Sequence, residues 1–431
     1  MEMNKKHCLF AGAGKAVIDV APCLPLDGFT AVHDDLHIRA LVLESDKKIV
    51  IVSVEITSMF EDTQRKMLDI IREITGAEDE NVWLTLSHSF ACPHIWPSPK
   101  PGEAERPRPG HKPRSVDEID RCDGLAQAYF GALRRALNEA EKNKVPAVLG
   151  CGLGKCAVSA SRNMLTPEGW WMGTDDGEPC DQRLHLLRVD STQAKPFAAL
   201  FVYGVRSCVT SRIKTSDGGM MVSSDLCGNT CSYLEKEFGE DFTALFLCGP
   251  CGDQEPRYKA CCDSLDRHGS IKKVDLGMAG YALLDAQAMR LGEEALKTWR
   301  SISALNDVSH IPCAKREVIC ATKKMNRDLS SQKPLRECDF EPDGEKNLTV
   351  YGLALGEMEL VGVQPEINGT TALEIGGAVA TMVNGGDKCM PEARAYQELK
   401  YQCQNSPFML GSAEKLRDAA LELMRGLKEG K

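Results

Sequence analysis

The sequence predicts an α/β protein, layered α/β/α, with a mostly parallel or mixed central sheet. Three observations carry this. Residues 49–54 form an apolar run, residues 62–75 place Met67, Leu68, Ile71 and Ile74 on one helical face before Gly76, and residues 82–86 form a second apolar run. Such a strand–helix–strand unit aligns its two strands parallel. The same grammar recurs: an apolar strand at 198–205 ends at Arg206, a helix follows at 225–238, and a strand at 243–247 runs into Cys248-Gly249-Pro250-Cys251-Gly252-Asp253. A further strand at 358–363 leads into Gln364-Pro365-Glu366. The composition agrees: 431 residues, 43% hydrophobic and 26% charged, describe an ordinary folded chain with enough apolar material for a large core.

The remaining elements follow in order. Residues 276–299 are rich in Ala, Leu and Met and predict a long helix. Residues 412–427 predict another, with Leu416, Leu423, Met424 and Leu427 as its packing stripe. Between positions 93 and 113 stand seven prolines interspersed with Arg and Lys, an irregular loop directly after His88 that reads equally as a lid or as a solvated insertion. There is no internal repeat and no clear linker, so residues 1–431 are expected to form a single domain.

Several function classes are set aside. Lys and Arg number 52 against 62 Asp and Glu, a net charge of −10, and no basic patch stands out. That argues against nucleic acid and against anionic lipid as partners. Lys5 and Lys6 are followed by too few apolar residues for a secretory signal, and no run reaches the ~18 apolar residues of a membrane span. The 19 cysteines are then expected as free thiols in the cytoplasm. The spacings Cys248-x2-Cys251 and Cys227-x3-Cys231 each stand alone and are not read as zinc knuckles. The expected partner is a small-molecule substrate, and a homo-oligomer stays open.

Ligands in open α/β sheets bind at the carboxyl ends of the strands, where His88, Arg206, Asp253 and Glu366 all fall. Each residue has two readings. His88 is a metal ligand, a general base, or a core histidine. Arg206 clamps an anion or pairs with a carboxylate. Glu366 is a ligand or an N-cap acid, and Asp253 binds substrate or caps a turn.

Several segments together resemble the catalytic domain of the neutral, non-lysosomal ceramidases. Gly12-Ala13-Gly14-Lys15-Ala16-Val17-Ile18-Asp19-Val20-Ala21-Pro22 resembles that family's opening strand, and His33-Asp34-Asp35-Leu36-His37 begins a segment like its next one. Ser87-His88-Ser89-Phe90-Ala91-Cys92-Pro93 sits where the family has Thr-His-Thr-His-Ser-Gly-Pro. Ser223-Ser224-Asp225-Leu226-Cys227-Gly228 resembles Ser-x-Asp-x-x-Gly. Gly252-Asp253-Gln254-Glu255-Pro256-Arg257 falls on Gly-Asp-Val-Ser-Pro-Asn, and Gly362-Val363-Gln364-Pro365-Glu366 on a Gly-x-Pro-Gly-Glu-like segment. The order of these matches spans nearly the whole chain. The family's C-terminal immunoglobulin-like domain has no counterpart in it.

The resemblance implies a zinc amidase whose metal is held by two histidines, a glutamate and a tyrosine. His88 and Glu366 match the first histidine and the glutamate. Arg206 stands at the second histidine and Cys389 at the tyrosine, a register supported by Tyr396 and Tyr401 seven and twelve residues on. Tyr401 then matches a tyrosine that stabilises the developing oxyanion, and Arg162 a family arginine near the site. A guanidinium has no lone pair for a metal. At ~5 Å and an effective dielectric of ~20 it repels a dication by roughly 6–7 kcal/mol before compensation.

The resulting expectation is a zinc site of His88, Glu366 and Cys389 with one open position. Arg206, Asp253 and Glu255 meet the substrate, and Tyr401, Arg162 and Cys389 serve the reaction. The activity expected is cleavage or formation of an amide C–N bond in a small carboxylate-bearing molecule, not ceramide. Two alternatives remain: a metal-free Cys389/His88 cyclase, isomerase or amidase, and a ligand-binding homologue without catalysis.

Overall fold

Two β-sheets lie face to face between layers of helix. In the computed structural model, which describes residues 9–99, 113–324, 334, 336–338 and 340–429, the larger sheet has eight strands. Their order is Thr243–Cys248, Pro196–Tyr203, Arg183–Ser191, Val145–Lys155, Phe10–Ile18, Leu36–Glu44, Lys48–Val54 and Val82–Leu86. The sheet is mixed. Its two parallel pairings are Lys48–Val54 with Val82–Leu86, and Pro196–Tyr203 with Thr243–Cys248. These are the two units that the sequence pattern picked out, with the helices Glu61–Thr75 and Asp225–Phe238 as crossovers. The other five pairings are antiparallel. A link such as residues 45–47 is too short for any crossover and forces a hairpin.

Alternation along each strand feeds two cores. Ala40, Val42, Val50, Val52, Val54, Leu84 and Leu86 pack beneath Glu61–Thr75, Asp225–Phe238 and the helices Val116–Lys142 and Gly280–Ser301. Their neighbours Leu41, Leu43, Ile49, Ile51 and Trp83 face the opposite way, onto Tyr351, Leu353, Leu355 and Leu360. The latter belong to a four-stranded sheet of Cys313–Lys323, Pro342–Leu355, Met358–Val363 and Ala378–Ala380. Its far face, with Val318, Leu348, Val350 and Val361, is covered by Gly369–Ile375 and Ser412–Glu429. The layers therefore run α/β/β/α, one sheet more than the α/β/α expectation. Strands apolar on both faces read alike whether a helix or a sheet covers them.

The eight-stranded sheet is pinched in the middle. Val145–Lys155 pairs with Phe10–Ile18 through only Phe10–Pro146 and Ala11–Val145. Its two outer ends then approach each other: Ser53 Oγ donates to the Phe246 carbonyl at 2.6 Å, and Ser89 bridges Ser207. This brings the carboxyl ends of both parallel units to one place. The helix Val116–Lys142 packs against Phe10–Ile18 so closely that a Cβ on Gly14 would lie 2.2 Å from the Ala136 carbonyl oxygen. That helix was not foreseen, although Ser115 and Glu118 form a capping box visible as Ser-x-x-Glu. In the proline-rich stretch, residues 100–112 lie outside the described residues. The 18 described cysteines are all free, and no described helix is long and apolar enough to cross a membrane.

Two predictions concern stability. Gly14→Val forces strand and helix apart and should cost about 2–3 kcal/mol in urea unfolding. His185 is mostly buried, its Nε2 has no partner among the described residues, and burial followed by Arg183 pulls its pKa down to about 4. Its neutral form therefore favours the fold fully above about pH 6.5, and this contribution fades as the pH falls toward about 4. His185→Gln should flatten the urea midpoint across that window.

Candidate active site

His88 stands two residues beyond Val82–Leu86 with φ at +56°, a left-handed conformation that costs a side-chain-bearing residue about 1–3 kcal/mol. Neighbouring bonds hold it there: Ser89 N donates to the Ile56 carbonyl and Ser207 N to the His88 carbonyl, each at 3.2 Å. Its Nδ1 donates to the Thr57 carbonyl at 2.6 Å. In the neutral ring Nε2 then carries the lone pair. Nε2 is buried, hydrogen-bonds to nothing among the described residues, and lies 3.4 Å from Glu366 Oε2.

Glu366 and Cys389 are placed by two short strands, Pro365–Ile367 and Asp387–Met390, which pair in parallel with Glu366 opposite Cys389. Cys251 comes from the turn after Thr243–Cys248. Gly252 lets that turn dock: its N–H donates to the Ile367 carbonyl at 2.9 Å, and a Cβ there would sit 2.6 Å from the Glu366 carbonyl oxygen.

Two guanidiniums fill the remaining side. Arg206 donates through Nε to the Cys251 carbonyl at 2.9 Å and through Nη2 to Cys389 Sγ at 3.1 Å, and Nη2 also pairs directly with Glu366 Oε2. Its Nη1 has Glu255 Oε1 at 3.9 Å, beyond hydrogen-bond distance. Arg162, from the strand Ser159–Thr166, donates through Nε to the Gly252 carbonyl at 3.0 Å and through Nη2 to Cys389 Sγ at 3.3 Å. Its Nη1 is 3.6 Å from Glu255 Oε1, and Lys259 pairs with the other Glu255 oxygen.

These charges set the protonation states. Burial pushes Glu366 up, but the Arg206 guanidinium more than offsets it and holds the carboxyl well below the usual range. Burial likewise opposes Lys259, Arg162 and Arg206 at Glu255, which settles at about 2. Asp253 goes the other way: burial, then Glu392, push it up to about 7. Burial, followed by Glu366, raises the Cys389 thiol, and burial with Cys248 raises Cys251.

The site's ligand chemistry differs from the expected set in one residue. Among the described residues, His88, Cys251 and Glu366 offer N, S and O atoms that all lie within 4.8 Å of one another, and Cys389 is not of that group. Cys389 is instead held between Arg162 and Arg206. The unpartnered His88 Nε2, with its other nitrogen anchored to a carbonyl, is the arrangement a metal-ligating histidine has. The N/S/O donor set suits zinc, and Arg206 then acts as the outer partner that orients Glu366. The residues fit a metal. Cys251 is not legible in the sequence: its Cys-x2-Cys spacing stands alone, and its partners His88 and Glu366 lie over a hundred residues away.

Of the other expected residues, Arg162, Arg206 and Glu255 are in the cluster. Asp253 borders it: its carbonyl accepts from Arg162 N at 2.8 Å, and its Oδ1 accepts from Gly369 N at 2.8 Å. Asp253 binds Gly369 N and Glu255 pairs with Arg162, Arg206 and Lys259, so both support the arginines and the turn. Tyr401 is reached through Arg162, whose guanidinium lies 5.9 Å from its ring centre, and packs edge-on against Trp171. Phe90, at the second histidine of the Thr-His-Thr-His motif, packs edge-on against His88, ring centres 4.7 Å apart.

Two solved structures have the same arrangement of elements. Neutral ceramidase from Pseudomonas aeruginosa superposes with a TM-score of 0.72 at 15% identity, over 99% of this chain and 75% of that one. This chain has a ceramidase-like fold. A ceramidase complexed with C2 gives 0.70 at 14% identity, over 98% of this chain and 76% of that one. No family model and no curated protein matches the sequence. The ceramidase-like resemblance is thus one of fold.

The Arg206–Glu366 pair is buried, so removing one partner strands the other charge. Arg206→Met should cost about 3–5 kcal/mol in urea unfolding. The double variant R206M/E366Q should recover most of that loss, giving a coupling well above the ~0.5 kcal/mol of independent sites.

Proposed function

We propose that this protein is an enzyme that cleaves or forms an amide C–N bond in a small, carboxylate-bearing molecule rather than in ceramide. The observation that carries the reading is the charge balance of the buried cluster. Within 4 Å, and among the described residues, Arg162, Arg206 and Lys259 pair with only Glu255 and Glu366, and Arg206 Nη1 makes no hydrogen bond. A surplus cation with free N–H groups in a low-dielectric site calls for an anion, and a carboxylate matches the guanidinium fork.

Zinc held by His88, Glu366 and Cys251 would supply Lewis-acid polarisation of the amide carbonyl. The chain's own groups do the rest. Arg206 and Arg162 orient the substrate carboxylate, with Glu255 and Lys259 fixing both guanidiniums. The Tyr401 hydroxyl donates toward the oxygen on which negative charge develops. The raised thiol of Cys389 weighs against a thiolate nucleophile there, so a metal-free Cys389/His88 enzyme is the weaker reading. Residues 1–431 act as one catalytic unit in a reducing compartment such as the cytoplasm, with a small molecule and not nucleic acid or membrane as partner.

Amine release from N-acyl amino acids, matched neutral N-acyl amides and ceramide tests this. The carboxylate-bearing amides should turn over fastest, and Arg206→Lys, which keeps charge but loses the fork, should raise KM about tenfold or more with a smaller change in kcat. Tyr401→Phe should lower kcat about 100-fold at nearly constant KM. Preference for ceramide or for the neutral amides would overturn the substrate class, and binding without turnover would reduce the protein to a ligand binder.

A further inference from the structure

Away from this site, three chemistry-bearing side chains meet beside the short helix Gln402–Asn405. Cys338 packs against the small cluster that holds Tyr396 and Cys403, and its thiol reaches the Tyr396 carbonyl at 3.4 Å. Lys323 is buried at 2% exposure, donates to the Cys403 carbonyl at 2.7 Å, and lies 3.5 Å from the Phe340 ring centre. It has no carboxylate partner among the described residues, so its ammonium is a buried charge that a neighbouring thiolate would balance. The two sulfurs differ in access: Cys338 is half-buried, and Cys403 is fully buried.

We propose that Cys338 and Cys403 are a redox pair, with Cys338 the sulfur that a hydroperoxide attacks first and Cys403 the sulfur that resolves it as a disulfide. A low-lying thiolate that is accessible and next to a second thiol is the arrangement of redox-sensing cysteines. Cys338 differs from the other cysteines in this respect. The neighbouring Cys403 thiol, followed by the Lys323 charge, pulls its pKa down against burial. Every other resolved shift among the described cysteines is upward. Burial also pulls Lys323 down to about 8, so it can take up or release a proton near neutrality.

The chemistry balances with the peroxide as oxidant. The Cys338 thiolate attacks one peroxide oxygen, the O–O bond breaks, and water leaves with Cys338 as a sulfenic acid. The Cys403 sulfur then attacks the Cys338 sulfur; an S–S bond forms, the S–O bond breaks, and a second water departs. Two thiols lose two electrons and two protons, and hydrogen peroxide is reduced to water. The bond ties the Cys338 segment to the helix that follows Tyr401.

The experiment oxidises the full-length reduced protein with one to two equivalents of hydrogen peroxide and maps the cysteines by mass spectrometry. The first product should be a species 2 Da lighter whose only linked peptide joins Cys338 to Cys403. Cys403→Ser should stop at Cys338 sulfenic acid, trapped by dimedone, and Lys323→Met should slow the first step about tenfold at neutral pH. Should Cys403→Ser fail to fold, limited alkylation of the native wild type by iodoacetamide replaces it, with Cys338 expected to react before the other 18 of the 19 cysteines. A first disulfide elsewhere, or Cys338 over-oxidised in the wild type without a link to Cys403, would overturn the proposal.

Discussion

The contact between Arg206 and Glu366 is the constraint on which the rest of the site depends. A guanidinium buried at a strand end needs a carboxylate, because an isolated charge in a low-dielectric interior is far costlier than any local rearrangement. Glu366 meets that need and is thereby kept ionised. The pair in turn fixes Cys389, which sits against Arg206, and aims Glu366 at His88. A histidine at the Arg206 position would have brought a neutral ligand. The arginine brings a permanent cation, and the sulfur that lies within 4.8 Å of the His88 and Glu366 ligand atoms is that of Cys251.

The fold delivers these residues through its two parallel units. Each unit ends at the same side of the sheet, and the pinch between Phe10–Ile18 and Val145–Lys155 lets the two outer ends close on each other. The second sheet contributes from the opposite side, since Glu366 follows Met358–Val363 with only Gln364 and Pro365 between. Gly252 is the hinge point where the turn from the first sheet passes against the strand from the second. The site is thus a property of the sandwich and not of any one element.

Much of this was legible in the sequence. The parallel units announced themselves through alternating apolar and amphipathic runs, and helix Asp225–Phe238 and strand Met358–Val363 fall where the pattern put them. His88, Arg206 and Glu366 could be placed because residues after parallel strands converge. The antiparallel strands were less legible: Leu36–Glu44 is covered on both faces, so its burial carries no period from which to read direction or the second sheet. Cys251 could not be set apart from Cys389 by spacing, since both stand near the right strands and only the folded site shows that the guanidiniums lie against Cys389 and not Cys251. The redox reading of Cys338 was equally invisible, because Lys323 and Cys403 are distant in sequence.

Metal stoichiometry and affinity in sulfur variants test the central claim most directly. Protein purified without chelators should hold about one zinc per chain; Cys251→Ser should weaken its affinity by at least tenfold, while Cys389→Ser leaves it nearly unchanged. Circular dichroism confirms that each variant is folded. Loss of zinc in Cys389→Ser with retention in Cys251→Ser, or no zinc in active wild type, would contradict the account.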